Sequence, residues 1–428
     1  MISITTKSIQ RKHIIVILVT STLLFLPVVT FSFLIGWDDQ IYVLNNYTES
    51  GLTLKNIEAI ITEFYYGQYA PLNQLFYSIV YEFFGYNPAY FHACSVLLHA
   101  ANALLVYFFI GKITTRIVPE SNSHLIAFFT TILFVIAPIN LESVAWIAAS
   151  KVLIYAFFYL CSLIWYTKYI ETNKAKYYYF TVICFILSFS AKEQAMTLPL
   201  AMILIDYIYK RNFKSSTTWW EKMPPILLSA IFVLASFQSQ GRSILLANDT
   251  YGMIDRILLA FYTISEYFTK ILIPVNLSYV YPFPFSSEVN PPIWIWLFPI
   301  CMLCTVYCLR RILIQKHILF GVTFFMIHII MVSNLISLAR YSIVADRYAY
   351  IASIGLFWLF AVLFARIFQK EQHKRKLGYI LMSITYCLYF IVYTSIHIWV
   401  WQDAVTLKEK MRLEIKSRSD YAKPNKFN

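Results

Sequence analysis

Long apolar runs, separated by short clusters of basic residues, set the rhythm of this chain. Runs close to the roughly 20 apolar residues that a helix needs to cross a bilayer recur at about 13–36, 89–111, 124–141, 150–168, 176–191, 193–209, 223–240, 257–274, 290–309, 317–338, 348–366 and 377–401. The pattern predicts an all-α polytopic membrane protein.

The basic clusters assign the sides. Lys112 and Arg116 follow the second run, Lys168, Lys174 and Lys176 the fourth, and Lys210, Arg211, Lys214 and Lys222 the sixth. Arg310, Arg311 and Lys316 follow the ninth, and Lys370, Lys374, Arg375 and Lys376 the eleventh. Cytoplasmic loops are the ones enriched in Lys and Arg, so these loops are expected inside. By parity the run 257–274 then begins and ends outside. Its polar residues Arg256, Thr263, Glu266 and Lys270 share one helical face, which predicts an interfacial amphipathic helix rather than a crossing. Eleven crossings remain, with the N-terminus in the cytoplasm and the C-terminus outside. The first run follows Lys7, Arg11 and Lys12 and has no small-residue cleavage site, so it reads as an uncleaved span.

One outer loop, 37–88, is far longer than the rest. The near-helical spacing of its apolar residues predicts two short surface helices, broken at Ala70-Pro71. It begins with "WDDQIY", an acid pair at the point where the chain leaves the membrane.

Composition agrees with a membrane protein. The chain is 59% hydrophobic and 13% charged, about half the charged fraction of a soluble domain. The formal charge of +13 lies in short clusters between apolar runs, so it does not point to nucleic acid. The seven cysteines all lie in apolar segments and imply no disulfide framework. Cys301, Cys304 and Cys308 share a helix face, but no His or acid joins them to make a metal site. Sequons at Asn46, Asn248 and Asn276 fall in predicted outer loops.

Several blocks carry a resemblance. "WDDQIYVLNN", "PLNQLFYSIVYEFFGYNPAYFHACSVLLHAANALLVYFF", "APINLESVAWIAASKVLIY", "FSAKEQAMTLPLAMILIDY", "RILLAFYTISEYFTKILIPVNLSYVYPFP" and "ADRYAYIASIGL" resemble the membrane domain of the O-mannosyltransferases with tetratricopeptide repeats and their bacterial homologues. The blocks run in order from about residue 36 to 357. The resemblance implies a GT-C-class multi-pass glycosyltransferase domain over 1–401, using a polyprenyl-phosphate sugar, mannose-like, on the non-cytoplasmic face. It also implies that Asp38, Asp39 and Glu142 occupy the catalytic acidic positions, and that Lys192, Glu193, Asp346, Arg347 and Tyr348 fall in family blocks. Two departures stand out: Ala70 where relatives often carry a cation, and only a short tail, 402–428, where relatives continue into repeats. The acceptor is therefore open between a protein Ser or Thr, a lipid and a glycan. The expected location is a bacterial inner membrane, or the endoplasmic reticulum membrane in a eukaryote.

The chemistry matches what such a transfer needs. A base must take the acceptor proton, carboxylates favour an oxocarbenium-like centre, and cations must receive the departing phosphate. Asp38 or Asp39 is the base candidate, with Asp39 the first choice, and Glu142 a second acid. Lys151, Lys192, Arg256 and Arg347 lie near outer span ends and are candidates for the donor phosphate. His92 and His99, seven residues apart on one face, read as core histidines more readily than as a proton relay. No cofactor is required by this chemistry, although Asp38, Asp39 and Glu142 would suit a divalent cation if they converged. A lipid-linked substrate transporter or flippase, or a non-catalytic membrane scaffold, are the rival readings. A transporter would show charges in mid-span and an internal repeat, and neither is visible.

Overall fold

The structure is a computed structural model and describes residues 2–118, 123–246, 251–287, 289–335, 342–370 and 373–417. The Asn248 sequon, and the tail beyond 417, lie outside the described residues. Helices account for nearly all of the regular structure, and among the described residues the only β feature is one bridge between Tyr65 and Gln68. The chain is an all-α polytopic membrane protein.

A first helix, α1 (Ile2–Phe25), passes through a short 3₁₀ turn into the long loop. The loop holds four helices rather than the two expected: α2 (Asp38–Tyr42), α3 (Asn46–Glu49), α4 (Leu54–Thr62) and α5 (Pro71–Phe84). Asn45 caps α3 and Thr53 caps α4, each accepting the backbone N–H three residues on, which is why the loop breaks into short pieces. Pro71 opens α5 at the first turn, where its missing N–H costs nothing.

The bundle follows: α6 (Pro88–Ile117), α7 (Ser123–Ile136), α8 (Leu141–Ala145), α9 (Ser150–Thr172), α10 (Ala175–Ala191) and α11 (Leu198–Ile208). Beyond it come α12 (Ser216–Trp220), α13 (Met223–Leu246), α14 (Met253–Leu272), α15 (Leu297–Leu313) and α16 (Lys316–Ile329). The last three are α17 (Ala352–Lys370), α18 (His373–His397) and α19 (Ala404–Ser417). Among the described residues, five helical stretches, 8–30, 88–117, 147–172, 293–313 and 376–401, are long and apolar enough to cross a membrane, and α7 with the bent segment after it makes a sixth. Three shorter apolar helices lie at 175–191, 316–332 and 352–367. The run 193–209 is not one helix: a 3₁₀ turn over Glu193–Thr197 leaves α11 only 11 residues, about 17 Å at 1.5 Å per residue.

The core pairs are α9 with α10, α16 with α17, and α6 with both α7 and α9. The α16–α17 crossing depends on two glycines. A Cβ on Gly355 would lie 2.6 Å from the Gly321 carbonyl, and one on Gly321 2.8 Å from the Gly355 carbonyl. Small residues let apolar helices approach this closely where no hydrophobic drive between them exists. The α14 segment buries Leu258, Leu259, Thr263, Tyr267, Lys270 and Ile271, so Thr263 and Lys270 of the expected polar face are packed inward with the apolar residues. The stretch read as a tail is partly a helix. α19 is tied back to the body where Ser32 N–H donates to the Gln402 carbonyl at 3.0 Å, and its Leu407 is buried.

Candidate active site

The site is assembled from breaks in helices. Trp37 is extended ahead of α2 and presents Asp38 and Asp39. After α7 the chain turns by 56° at Ala137-Pro138 and re-enters the core as α8, which carries Glu142. Lys192 is extended (φ −159°, ψ 137°) between α10 and the turn before α11. Arg347 sits in a 3₁₀ turn, Asp346–Ala349, ahead of α17. A break frees backbone groups and points side chains off the helix axis, so charges gather there without lying along a lipid-facing span.

Glu142 and Arg347 form the centre. The Glu142 Oε1 pairs with the Arg347 guanidinium, and its Oε2 accepts the Arg347 backbone N–H at 2.8 Å. Glu142 is only 2% exposed, so both of its oxygens are committed to orienting this arginine. The guanidinium also faces three aromatic rings, with Cζ 5.1 Å from the Tyr348 centroid, 5.2 Å from Trp146 and 5.9 Å from Tyr279. Such cation–π contacts add about 0.5–2 kcal/mol each, depending on desolvation.

Two lysines join it. Lys192 Nζ lies 4.8 Å from the Tyr348 ring, so Tyr348 is shared between Lys192 and Arg347. Lys192 is buried, and burial pushes its ammonium down to about 8, against the pull of Glu193. Lys151, at the start of α9, donates to Gln68 Oε1 at 2.9 Å and lies over the Tyr42 ring. Lys151, Lys192 and Arg347 are within electrostatic reach of one another; Glu193 acts on both lysines, and Asp38 on Lys151.

The two acids of the first loop differ sharply. Asp39 is 1% exposed; its Oδ2 accepts the Leu34 N–H and its Oδ1 the Ala148 N–H, both at 2.9 Å. Burial pushes Asp39 up to about 7, and the two backbone donors pull the other way. It stitches the start of the loop to the turn before α9. Asp38 is half-buried, and among the described residues no hydrogen bond reaches its carboxylate. Its charge is felt by Tyr279, Tyr42 and Lys151. The geometry therefore favours Asp38 as the available acid, the reverse of the expected order.

Asp346 lies behind the centre, where the Tyr281 hydroxyl donates to its Oδ1 at 2.8 Å. Burial, and next the nearby Glu142, push its carboxyl well above the usual range. Tyr281 opens the "YPFP" turn, and the Ile343 N–H donates to its carbonyl at 2.9 Å, so that turn braces the Asp346 segment. Arg256 Nε instead donates to the Tyr251 carbonyl at 3.1 Å in the first turn of α14. His92 is buried edge-on to Phe31, and His99 bonds the Tyr350 hydroxyl at 2.7 Å, both as core residues. Asp38, Asp39 and Glu142 do not converge as a divalent-cation site. Among the described residues no three His, Cys, Asp or Glu come together.

The sequence pattern did not single out Tyr279, Gln68 or Trp401. Tyr279 packs within 6 Å of Trp37, Trp146 and Trp401. With Glu142, Asp346, Trp401 and Met411 it lines a small cleft beside α19. Aromatic residues are abundant throughout, 33 Tyr and 35 Phe, so nothing in the pattern marks these few.

The fold and the site thus define an all-α polytopic membrane protein with an acid–cation–aromatic centre at its helix breaks. By sequence the chain is similar to a protein O-mannosyl-transferase of Caenorhabditis elegans, at 26% identity over 362 residues, covering 79% of this chain and 48% of that protein. Its backbone is also similar to the archaeal oligosaccharyltransferase AglB of Archaeoglobus fulgidus, solved with an inhibitory peptide and a dolichol-phosphate. That likeness has a TM-score of 0.47 and 12% identity, over 92% of this chain and 56% of the other. No family model matches the chain. The chain spans about half the length of the curated relative it matches. The likeness to O-mannosyltransferases expected from the sequence blocks is therefore borne out.

Proposed function

We propose that this chain is a membrane glycosyltransferase of the GT-C class. In this reading it moves a mannose-like hexose from a polyprenyl-phosphate donor to an acceptor hydroxyl of a protein, lipid or glycan, with inversion. The observation that carries the reading is the gathering of Lys151, Lys192 and Arg347 around Tyr348, with the Asp38 carboxylate in reach. Three cations held close, each on an aromatic face, repel one another until an anion arrives, and a lipid phosphate supplies it.

Asp38 takes the acceptor proton as the oxygen attacks the anomeric carbon from the face opposite the phosphate. The bond from that carbon to the phosphate oxygen breaks, and the phosphate leaves with the electron pair onto Arg347, Lys192 and Lys151. Glu142 aims Arg347, and Asp39 holds the loop in register. The basic clusters between spans support eleven crossings, with loop 37–88 and the site on the non-cytoplasmic face. The donor's tail confines the scissile bond to that membrane boundary, where the acid pair stands.

The test is transfer from a polyprenyl-phosphate sugar by purified, correctly inserted protein. Asp38→Asn should abolish most turnover. Retention of near-full turnover by that variant would remove the centre of the reading.

A further inference from the structure

We propose that the first loop contains a pyranose-binding subsite, distinct from the cation centre and adjoining it. The loop frames an open, solvent-facing pocket between Tyr42, Tyr47, Glu63, Tyr65 and Gln68. Its walls combine tyrosine rings with carboxylate and amide groups. Tyr47 and Tyr65 meet edge to face at 5.2 Å, and Tyr42 completes the aromatic side. Glu63 and Gln68 supply the polar side.

The backbone builds this arrangement. Tyr65 and Gln68 exchange backbone hydrogen bonds of 3.1 and 2.9 Å across a tight turn. Gly67 at φ 71° lets the chain reverse there. Residues paired across such a turn present their side chains on the same face, so the Tyr65 ring and the Gln68 amide stand side by side. The Glu63 carboxylate bonds the Tyr47 hydroxyl through Oε2, which fixes both. Among the described residues, the hydroxyls of Tyr42 and Tyr65, the other Glu63 oxygen and the Gln68 NH₂ have no protein partner. A flat ring face beside a carboxylate and an amide is the chemistry that reads a sugar: the apolar face of the ring stacks, and neighbouring hydroxyls take paired hydrogen bonds.

Its position connects it to the centre. Gln68 Oε1 accepts from Lys151 Nζ at 2.9 Å, so a pocket wall touches a phosphate-site cation. Tyr42 lies four residues beyond Asp38 on α2, one turn along the same face. A pyranose seated here is within reach of the reacting groups whether it is the sugar on the donor or one on an acceptor glycan. The purpose of the subsite rests on the transferase reading, but its binding test does not.

The experiment uses the full chain in nanodiscs. Saturation-transfer NMR is recorded with the methyl α-pyranosides of mannose, glucose and galactose. At least one should bind, and Glu63→Gln and Tyr65→Ala should each weaken it at least tenfold with the melting temperature unchanged. Glu63 is exposed and Tyr65 half-buried, so neither change removes a core residue. In the transfer assay, a raised KM for the donor alone assigns the pocket to the donor sugar, and a raised KM for a glycan acceptor alone assigns it to the acceptor; either outcome supports the proposal. Failure of all three pyranosides to bind overturns it. So does binding that ignores both substitutions, or a Ser/Thr peptide that binds through these residues where no pyranoside does.

Discussion

Two buried charge clusters stand at opposite ends of the same helices, and they are built on different rules. Lys151 opens α9, and Tyr166 lies 15 residues further along it, about 22 Å at helical rise. Around Tyr166 every charge meets an opposite one. Lys222 pairs with Asp206, Arg211 pairs with Glu221 and lies 3.4 Å from Asp206, and the Tyr166 hydroxyl donates to Asp206 at 2.6 Å. Asp206 and Lys222 are 0% and 1% exposed. At the other end, Lys192 is as deeply buried but lies on a tyrosine ring, and Lys151 contacts an amide and a ring. Arg347 at this end is also closed by Glu142, and Glu193 lies within electrostatic reach of both lysines; the difference is that the two lysines rest on rings and an amide, whereas the Tyr166 cluster is closed by direct ion pairs. Burial alone does not separate the two cases, whereas the identity of each partner does.

The sharpest way to break this comparison is at Asp38. Asp38→Asn should lower turnover by about 10²–10⁴-fold, the usual worth of a general base, with the melting temperature unchanged. The matching change at the closed cluster, Asp206→Ala, should do the opposite. It leaves a buried cation uncompensated and costs about 3–5 kcal/mol of stability, while the folded fraction keeps its turnover; thermal unfolding in detergent beside the transfer assay separates the two effects. Loss of turnover per folded molecule in Asp206→Ala would show that the two ends are not independent.

Arg347→Ala should weaken donor binding by about 2–4 kcal/mol, as expected for a desolvated charge-assisted contact, measured as affinity for the polyprenyl-phosphate sugar. Asp39→Asn sharpens the contrast within the acid pair. An amide presents a donor to one of two backbone N–H groups, so about 1–3 kcal/mol of stability should be lost, and turnover should fall only with the folded fraction. The smallest effect concerns pH. Lys192 is held near 8 by burial, so its charge is present below that value and lost as pH rises through it. The donor KM should rise by up to about tenfold between pH 7 and 9, and Lys192→Arg should flatten that rise.

Much of this molecule is written in the order of its residues. Apolar run lengths and basic clusters determined an all-α membrane protein, because hydrocarbon demands helices that satisfy their own backbone. The ordered blocks around Asp38, Glu142, Lys192 and Arg347 pointed to the likeness with O-mannosyltransferases. The composition also placed those acids and cations at the ends of spans, since ionisable groups are costly within them.

Only the tertiary structure decided what each charged residue touches. Asp38 and Asp39 are adjacent and chemically identical, and which of them is sealed depends on backbone N–H groups from Leu34 and from Ala148, 109 residues away. Glu142 reads as a second acid in the sequence, and only the structure shows both of its oxygens bonded to Arg347, 205 residues on. Tyr348, Tyr279 and Gln68 gain their importance from neighbours remote in sequence. The periodicity of a helix constrains residues three or four apart; partners at breaks between helices are chosen by how the bundle closes, and a local pattern carries no record of that.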